Sequence, residues 1–172
     1  MIENNSAPKM MINYKWIEHE RCEDAPFVGA LISACDCKFN CPNCFNQHLK
    51  ELPTLTKKCE DIISEVKANP FNKGIIFAGL EWTLQIRECV ALAREAKKNG
   101  LQTMVYTGHN LLDDEATILQ MSQCFDYIKC GRYIEELKSA NHIEYGVVLA
   151  SSNQHICKKG VELFDAENYK EP

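Results

Sequence analysis

The sequence has little that would direct it to nucleic acid or to a membrane. Its 172 residues carry 19 Lys and Arg against 24 Asp and Glu, a formal net charge of −5, and no basic run stands out. No general attraction to a phosphate backbone is therefore implied. No stretch is long and apolar enough to cross a bilayer, and the N-terminus lacks the pattern of a secretory signal. We therefore expect a cytoplasmic protein with neither a nucleic-acid nor a membrane partner.

Internal repeats, low-complexity linkers and a second cysteine cluster are also missing from the chain. Their absence argues against a repeat array and against an added ferredoxin-like domain. The composition is that of an ordinary globular protein, and the length suits one hydrophobic core. We predict a single domain over residues 1–172, with residues 1–10 frayed and residues 158–172 forming a C-terminal tail.

Cysteine is abundant, with ten in the chain and four of them between residues 35 and 44. Cys37, Cys41 and Cys44 have the spacing C-x3-C-x2-C, which allows a short loop to turn three sulfur atoms toward one point. Converging thiolates select zinc or an iron–sulfur cluster. A 4Fe–4S cluster held by three cysteines keeps one iron open for another ligand. These three cysteines are therefore the predicted metal ligands.

Two other interpretations of the cysteines remain open. A structural zinc site needs four ligands, and either Cys35 or His48 could supply the fourth. A disulfide framework is the weaker alternative, because a reducing cytosol is the expected compartment.

Apolar runs alternate with segments of helical periodicity along most of the chain. We expect Thr56 to cap the first helix and residues 18–24 to form a charged loop. The alternation indicates an α/β fold with a mostly parallel sheet, and four or five βα units predict an open partial (β/α) barrel. Ligands then gather at the carboxyl ends of the strands. The predicted strands are 12–16, 27–32, 74–78, 101–107 and 125–130, and the predicted helices are 57–68, 86–98 and 113–123.

The cysteine loop and four later segments together resemble one known family, the radical S-adenosylmethionine (SAM) enzymes. C-x3-C-x2-C is the signature of that family, and Cys44-Phe45-Asn46 is similar to the activating enzymes of anaerobic (class III) ribonucleotide reductase. The resemblance covers residues 12–157, with Leu80, Trp82 and Cys130 standing where glycine, proline and aspartate are usual. The later segments, in the family's order, are Gly79-Leu80-Glu81-Trp82, Tyr106-Thr107-Gly108, Gly131-Arg132-Tyr133 and Ser152-Asn153-Gln154.

This resemblance implies a function, two cofactors and two partners. A 4Fe–4S cluster on Cys37, Cys41 and Cys44 would take one electron from a flavodoxin- or ferredoxin-type donor and bind SAM at its open iron. Cleavage of SAM would give a 5′-deoxyadenosyl radical that installs a glycyl radical on the anaerobic ribonucleotide reductase. No catalytic protein side chain is required for the cleavage. The SAM-binding residues that the resemblance implies are Asn43, Cys44, Phe45, Gly79, Leu80, Glu81 and Thr107.

Several expectations accompany this hypothesis. Gly108 is expected to adopt a positive φ beside the ligand, and Cys130 is expected to pack as a small hydrophobic residue. The rim of the cysteine loop and residues 131–157 are the candidate docking surface for the reductase. The alternatives are a radical SAM enzyme for a small molecule, similar to the deazaguanine-forming synthases, a non-catalytic zinc-binding module, and a degenerate family member.

Overall fold

The computed structural model describes residues 10–110 and 115–160, which form a mixed α/β structure. The predicted tail falls mostly outside these ranges, as do the frayed N-terminus and the first residues of the predicted third helix. Within these ranges the ten strands are β1 (Met11–Tyr14), β2 (Trp16–Arg21), β3 (Gly29–Ser33), β4 (Leu55–Lys58), β5 (Gly74–Ala78), β6 (Gln102–Tyr106), β7 (Tyr127–Cys130), β8 (Ile143–Glu144), β9 (Val147–Val148) and β10 (His155–Lys158). The α-helices of the same ranges are α1 (Cys59–Ala68), α2 (Ile86–Lys98) and α3 (Glu115–Ser122), and short 3₁₀ turns span Gln47–Glu51, Trp82–Gln85 and Glu135–Leu137.

Six strands form the main sheet in the order β10-β7-β6-β5-β3-β2. The four central strands β3, β5, β6 and β7 are parallel to one another, which confirms the predicted parallel core. Both edge strands, β2 and β10, run antiparallel. The sheet is therefore mixed, and Lys158 belongs to β10 instead of starting a tail.

All three helices pack on the same face of the sheet. Ile32, Phe77 and Val105 belong to one buried cluster with apolar residues of α1, α2 and α3. The opposite face carries Leu31 and Ile76 in a smaller cluster, to which no helix of the described ranges contributes a residue. This arrangement follows from the sequential order of the parallel strands, because right-handed crossovers that always step in one direction stay on one face. We call the helix-free surface the open face.

Two local predictions are wrong. Residues 18–24 are not all loop, because Trp16–Arg21 forms β2 at the edge of the sheet, where charged side chains are tolerated. Thr56 does not cap a helix, since it lies in β4, pairs with Asn13 and donates its Oγ1 hydrogen bond to Asn13 Oδ1 at 2.7 Å. Helix α1 begins at Cys59 without a side-chain cap. A tertiary strand partner has overridden the local capping signal.

No helix in the described ranges has both the length and the apolar character needed to cross a membrane.

Candidate functional site

The segments that follow the parallel strands are joined to one another by hydrogen bonds at one end of the sheet. The backbone N–H of Glu81, after β5, donates to the carbonyl of Asp36, after β3, at 2.9 Å. The backbone N–H of Gly131, after β7, donates to the carbonyl of His109, after β6, at 2.9 Å. The cysteine loop and the later motifs therefore share the carboxyl edge of the sheet, where parallel α/β folds bind their ligands.

The cysteine loop makes tight turns at two asparagines. Asn40 and Asn43 have positive φ values of 47° and 56°, a conformation that asparagine tolerates better than most residues. The Cys44 N–H donates to the Cys41 carbonyl at 3.2 Å, which closes the turn between these two cysteines. Cys37, Cys41 and Cys44 are half-buried and form no disulfide. The loop therefore offers three partly accessible thiols.

The Cys37 thiol lies in a site that opposes its ionisation. Burial raises its pKa, and the carboxylate of Glu81 and the neighbouring Cys41 act in the same direction. The backbone N–H of Phe39 and the Lys50 ammonium partly offset these effects. Thiolates bind metals only after losing their protons, so a bound cation would supply the charge stabilisation that the protein around Cys37 lacks.

The three thiols of the loop do not converge on one point in this structure. Four-coordinate zinc holds thiolate sulfurs about 3.8 Å apart, given its ~2.3 Å bonds. Among the described residues no three cysteines place their sulfur atoms within 4.8 Å of one another. A cluster binds each thiolate to a different iron and so accepts more widely spaced sulfurs.

The two candidates for a fourth zinc ligand have other neighbours. Burial raises the pKa of the Cys35 thiol, and the side chains that also act on it are Glu88, Lys15, Thr54 and Asp36, with no other cysteine among them. His48 is exposed, and its Nδ1 lies 2.7 Å from the Phe45 carbonyl oxygen. Neither side chain joins the other three cysteines, which weakens the zinc interpretation.

Glu81 joins the ends of β5 and β6. Its side chain is only 4% exposed, and its Oε1 accepts hydrogen bonds from the Thr83 backbone N–H, the Thr83 hydroxyl and the Thr107 hydroxyl at 3.2, 2.8 and 3.0 Å. Its Oε2 accepts the Gly108 N–H at 2.8 Å. A carboxylate oxygen has two lone pairs; Oε1 shares its pair among three donors, whereas Oε2 accepts one hydrogen bond from the described residues.

Two glycines are required because other groups approach them closely. Gly79 has a φ of 82°, and a Cβ there would lie 2.6 Å from Ser33 Oγ. A Cβ on Gly108 would lie 2.6 Å from the ring of Phe39. The expected positive φ at Gly108 is wrong, since this residue is not among those with positive φ. Gly108 instead leaves room for Phe39, whose ring also contacts His109 edge-on at 4.9 Å.

The three residues that depart from the resemblance belong to the helix-side core. Leu80 is 6% exposed and Trp82 is fully buried, and both lie in the same cluster as the helices. Trp82 Nε1 donates to the Ile32 carbonyl at 3.1 Å. Cys130 is packed there as predicted, and its hydrogen bond with Cys157 raises the pKa of its thiol. Leu80 therefore has only its backbone available for a ligand on the open face.

The remaining predicted SAM-binding residues differ in exposure. Phe45 is 80% exposed and Asn43 is also exposed. The pKa of the Glu135 carboxyl is lowered mainly by the Tyr133 hydroxyl and, less strongly, by the side chain of Asn43. Thr107 is 2% exposed, and its Oγ1 accepts the His109 N–H in addition to donating to Glu81. Thr107 therefore holds the loop after β6 in place, and its buried side chain offers little surface to a ligand.

Lys129 is a residue of this site that the sequence analysis missed. It is 7% exposed, and its Nζ donates to the Gly131 carbonyl at 2.7 Å and lies 5.6 Å from the centroid of the Tyr106 ring. Burial lowers its pKa to about 8, although Cys130, Glu81 and Cys41 oppose that shift. The one feature of the sequence that could have indicated its burial is its position within a short apolar strand. Lysine is otherwise rarely buried, so exposure is the usual expectation.

One family model, described as a 4Fe-4S single cluster domain, matches residues 28–157. The matched span begins just before β3, ends within β10 and contains the cysteine loop and every strand end described above. No curated protein matches the chain.

Proposed function

This chain belongs to the family of 4Fe-4S single cluster domains, and we propose that within it the chain acts as a radical SAM activating enzyme. An iron–sulfur protein follows from the family itself. The proposal adds that Cys37, Cys41 and Cys44 hold the cluster, that SAM binds at the open iron, and that the product is a glycyl radical on an anaerobic ribonucleotide reductase.

The three-thiol loop at the carboxyl edge of the parallel strands is the observation that carries this proposal. Its three sulfur atoms do not all lie within 4.8 Å of one another, and Cys35 and His48 have other neighbours. A cluster with three protein ligands fits such a donor set. When bound, the cluster and SAM supply the one-electron chemistry that the resemblance implies.

The residues around the loop fit the amino-acid end of SAM. Glu81 holds a negative charge on a fixed carboxylate whose Oε2 has an acceptor position left for an ammonium group. Gly79 has no side chain to block approach, and Leu80 offers only its backbone. Asn43, Cys44 and Phe45 lie on the cysteine loop, and we assign their backbone and the exposed Phe45 ring to the adenine end. Thr107 fixes Glu81 and the loop after β6.

We also propose that the sheet is that of an open partial barrel. The sequential order of the parallel strands and the placement of all three helices on one face support it, since a barrel also keeps its helices outside. An open face without helices would admit a loop from a large partner to the cluster.

The docking surface for the reductase is then the rim of the cysteine loop together with residues 131–157. Asn43 on the loop lies close enough to Glu135 to add to the Tyr133 hydroxyl's lowering of the pKa of that carboxyl, and the exposed Phe45 supplies an apolar contact at the rim. The electron donor in this proposal is a flavodoxin- or ferredoxin-type protein, and the compartment is the cytoplasm.

Anaerobic reconstitution tests the proposal. The cluster-loaded protein is mixed with SAM, a reductant and the candidate reductase, and electron paramagnetic resonance should show a doublet on the reductase. Cys44→Ala should remove the signal, while Cys35→Ala should keep both iron and signal as the matched control. SAM cleavage without any radical on the cognate reductase would contradict the activating role.

Lys129 favours one alternative, a radical SAM enzyme that acts on an acidic small molecule. Its buried ammonium lies on the open face, near Tyr106, and no ion pair joins it to a carboxylate among the described residues. A carboxylate or phosphate on a small substrate would pair with it. Consumption of such a substrate together with SAM, with the reductase absent, would support this alternative.

A further inference from the structure

Two histidines and a glutamate converge at the start of β10, away from the cysteine loop in sequence. His142, Glu144 and His155 place one ligand atom each within 4.8 Å of the others. Glu144 Oε1 lies 3.5 Å from His142 Nε2 and 3.1 Å from His155 Nδ1. The three residues come from two different elements, the β8–β9 hairpin with its approach and the antiparallel edge strand β10.

We propose that His142, Glu144 and His155 form a binding site for a zinc(II)-class divalent ion, a site that does not rest on the proposed function. Two imidazoles and one carboxylate are a ligand set that zinc uses with three protein ligands and one open position. Zinc bonds of ~2.0–2.2 Å place neighbouring ligand atoms about 3.3 Å apart in a tetrahedron. The two nitrogen–oxygen distances therefore match the edges of such a tetrahedron.

The surroundings of these ligands hold the carboxylate in place. Glu144 Oε2 accepts the Ile156 backbone N–H at 2.6 Å, so Oε1 is the oxygen directed at both histidines. Such second contacts orient the ligands of metal sites. His142 Nε2 also lies 2.7 Å from the Gln154 carbonyl oxygen, so a proton on that nitrogen competes with the ion for the same position.

The exposure of the three side chains suits an ion that keeps one water ligand. His142 and Glu144 are each 24% exposed and His155 is 44% exposed, so an ion can enter without unfolding the hairpin. The two imidazole rings stand at 90° with centroids 5.9 Å apart, which lets both present a nitrogen to one point.

A metal at this position would fix the β8–β9 hairpin to the main sheet. β8 and β9 pair only with each other, whereas β10 pairs with β7, with His155 opposite Cys130. The ion would thus join a two-stranded hairpin to the edge strand at the same end of the sheet as the cysteine loop. Its consequence is a more rigid segment 139–149 beside the site.

Zinc titration of the full-length, cluster-loaded protein tests the proposal, because the loaded cluster occupies the cysteines. A competing chelator under anaerobic conditions should report one tightly bound zinc per chain. Glu144→Gln or His155→Gln should weaken binding by at least about 100-fold, since losing even an outer-sphere partner costs ~10–100-fold. His19→Ala is the matched control, because His19 also lies beside a glutamate, at 3.5 Å from Glu65, and zinc binding should be unchanged.

Cobalt(II) in place of zinc gives a second readout. The expected spectrum is that of a tetrahedral nitrogen–oxygen site without a sulfur-to-cobalt charge-transfer band. Glu144→Gln keeps the shape of the side chain, and a melting curve without metal identifies any variant that fails to fold. Absence of stoichiometric zinc in the wild type, equal affinity in folded Glu144→Gln and His155→Gln, or a sulfur charge-transfer band would each overturn the proposal.

Discussion

Replacing Lys129 with methionine should stabilise the cluster-free protein and change how its stability depends on pH. The Lys129 ammonium is buried on the open face with a carbonyl and a tyrosine ring as its partners. Burying a charge without a counter-charge is costly. Methionine has a similar length without the charge, and the Gly131 carbonyl stays bonded because Gln154 Nε2 also donates to it, at 3.1 Å.

The size of the effect follows from the lowered pKa. Burial lowers the pKa of Lys129 from its ordinary value of 10.5 to about 8, and each unit corresponds to about 1.4 kcal/mol. At a pH between these two pKa values, Lys129 is protonated more often in the unfolded chain than in the folded one. Its contribution to the free energy of unfolding therefore rises with pH. The charge therefore lowers the free energy of unfolding by about 3 kcal/mol near pH 7, and by about 1 kcal/mol near pH 9.5.

The variant loses some favourable contacts as well. The hydrogen bond and the cation–π contact together contribute about 1 kcal/mol, so Lys129→Met should be more stable than the wild type by about 2 kcal/mol near pH 7. That advantage should shrink by about 2 kcal/mol between pH 7 and pH 9.5. Thiols that do not interact with Lys129 affect both proteins alike, so their ionisation cancels in the difference between the two proteins.

Urea unfolding of the two proteins at several pH values, under reducing and chelating conditions, measures this difference. Lys158→Met is the matched control, because Lys158 also lies above a tyrosine ring, at 5.8 Å from the Tyr127 centroid, but is not buried. Its effect should stay within about 0.5 kcal/mol. A Lys129→Met advantage that does not change with pH, or a destabilised variant near neutral pH, would refute the reasoning.

Three further substitutions address the ends of the strands. Glu81→Gln turns an amide NH2 toward buried hydrogen-bond donors, so it should lower the free energy of unfolding by at least about 2 kcal/mol. The reconstituted variant should keep its iron, and an unchanged urea unfolding curve would contradict the prediction. Trp82→Phe removes the hydrogen bond to Ile32, and a loss of about 1–3 kcal/mol is expected in the same assay. Gly108→Ala should displace Phe39 and reduce the iron retained after reconstitution, and Phe39→Ala in the same chain should restore it; iron loss that Phe39→Ala does not rescue would point to another cause.

The parallel core of the fold was predictable because its strands are continuous apolar runs. Strand β5 and helix α2 have the predicted bounds, β6 is one residue shorter at each end, and α1 begins two residues later than predicted. Strand β2 was not predicted because the polar residues Glu18, His19 and Glu20 make its sequence resemble a loop. An edge strand tolerates such charged side chains. Strand β4 was not predicted because the strand with which it pairs, β1, lies more than forty residues earlier in the chain.

The part of the candidate site that depends on residue spacing could be predicted from the sequence. The roles that depend on which residues the fold brings into contact could not. The spacing of Cys37, Cys41 and Cys44 needs no tertiary information. The role of Glu81 depends on donors from Thr107 and Gly108, which only the parallel pairing of β5 with β6 brings together. The burial of Lys129 could not be predicted, because a lysine in a strand is normally exposed to solvent. Only the three-dimensional structure shows that its side chain is buried.

The departures from the resemblance have a structural explanation that leaves the site intact. Leu80, Trp82 and Cys130 all belong to the helix-side core, whereas Glu81 faces the loops after β3 and β6. A residue at a strand end can therefore change on the core side without altering the group presented to a ligand. Trp82 even strengthens the local structure, since its indole N–H bonds to the Ile32 carbonyl and its ring packs edge-on against Phe77 at 5.2 Å. The substitutions that suggested a degenerate member are thus changes in packing, and they give no reason to expect loss of the chemistry proposed for Cys37, Cys41 and Cys44.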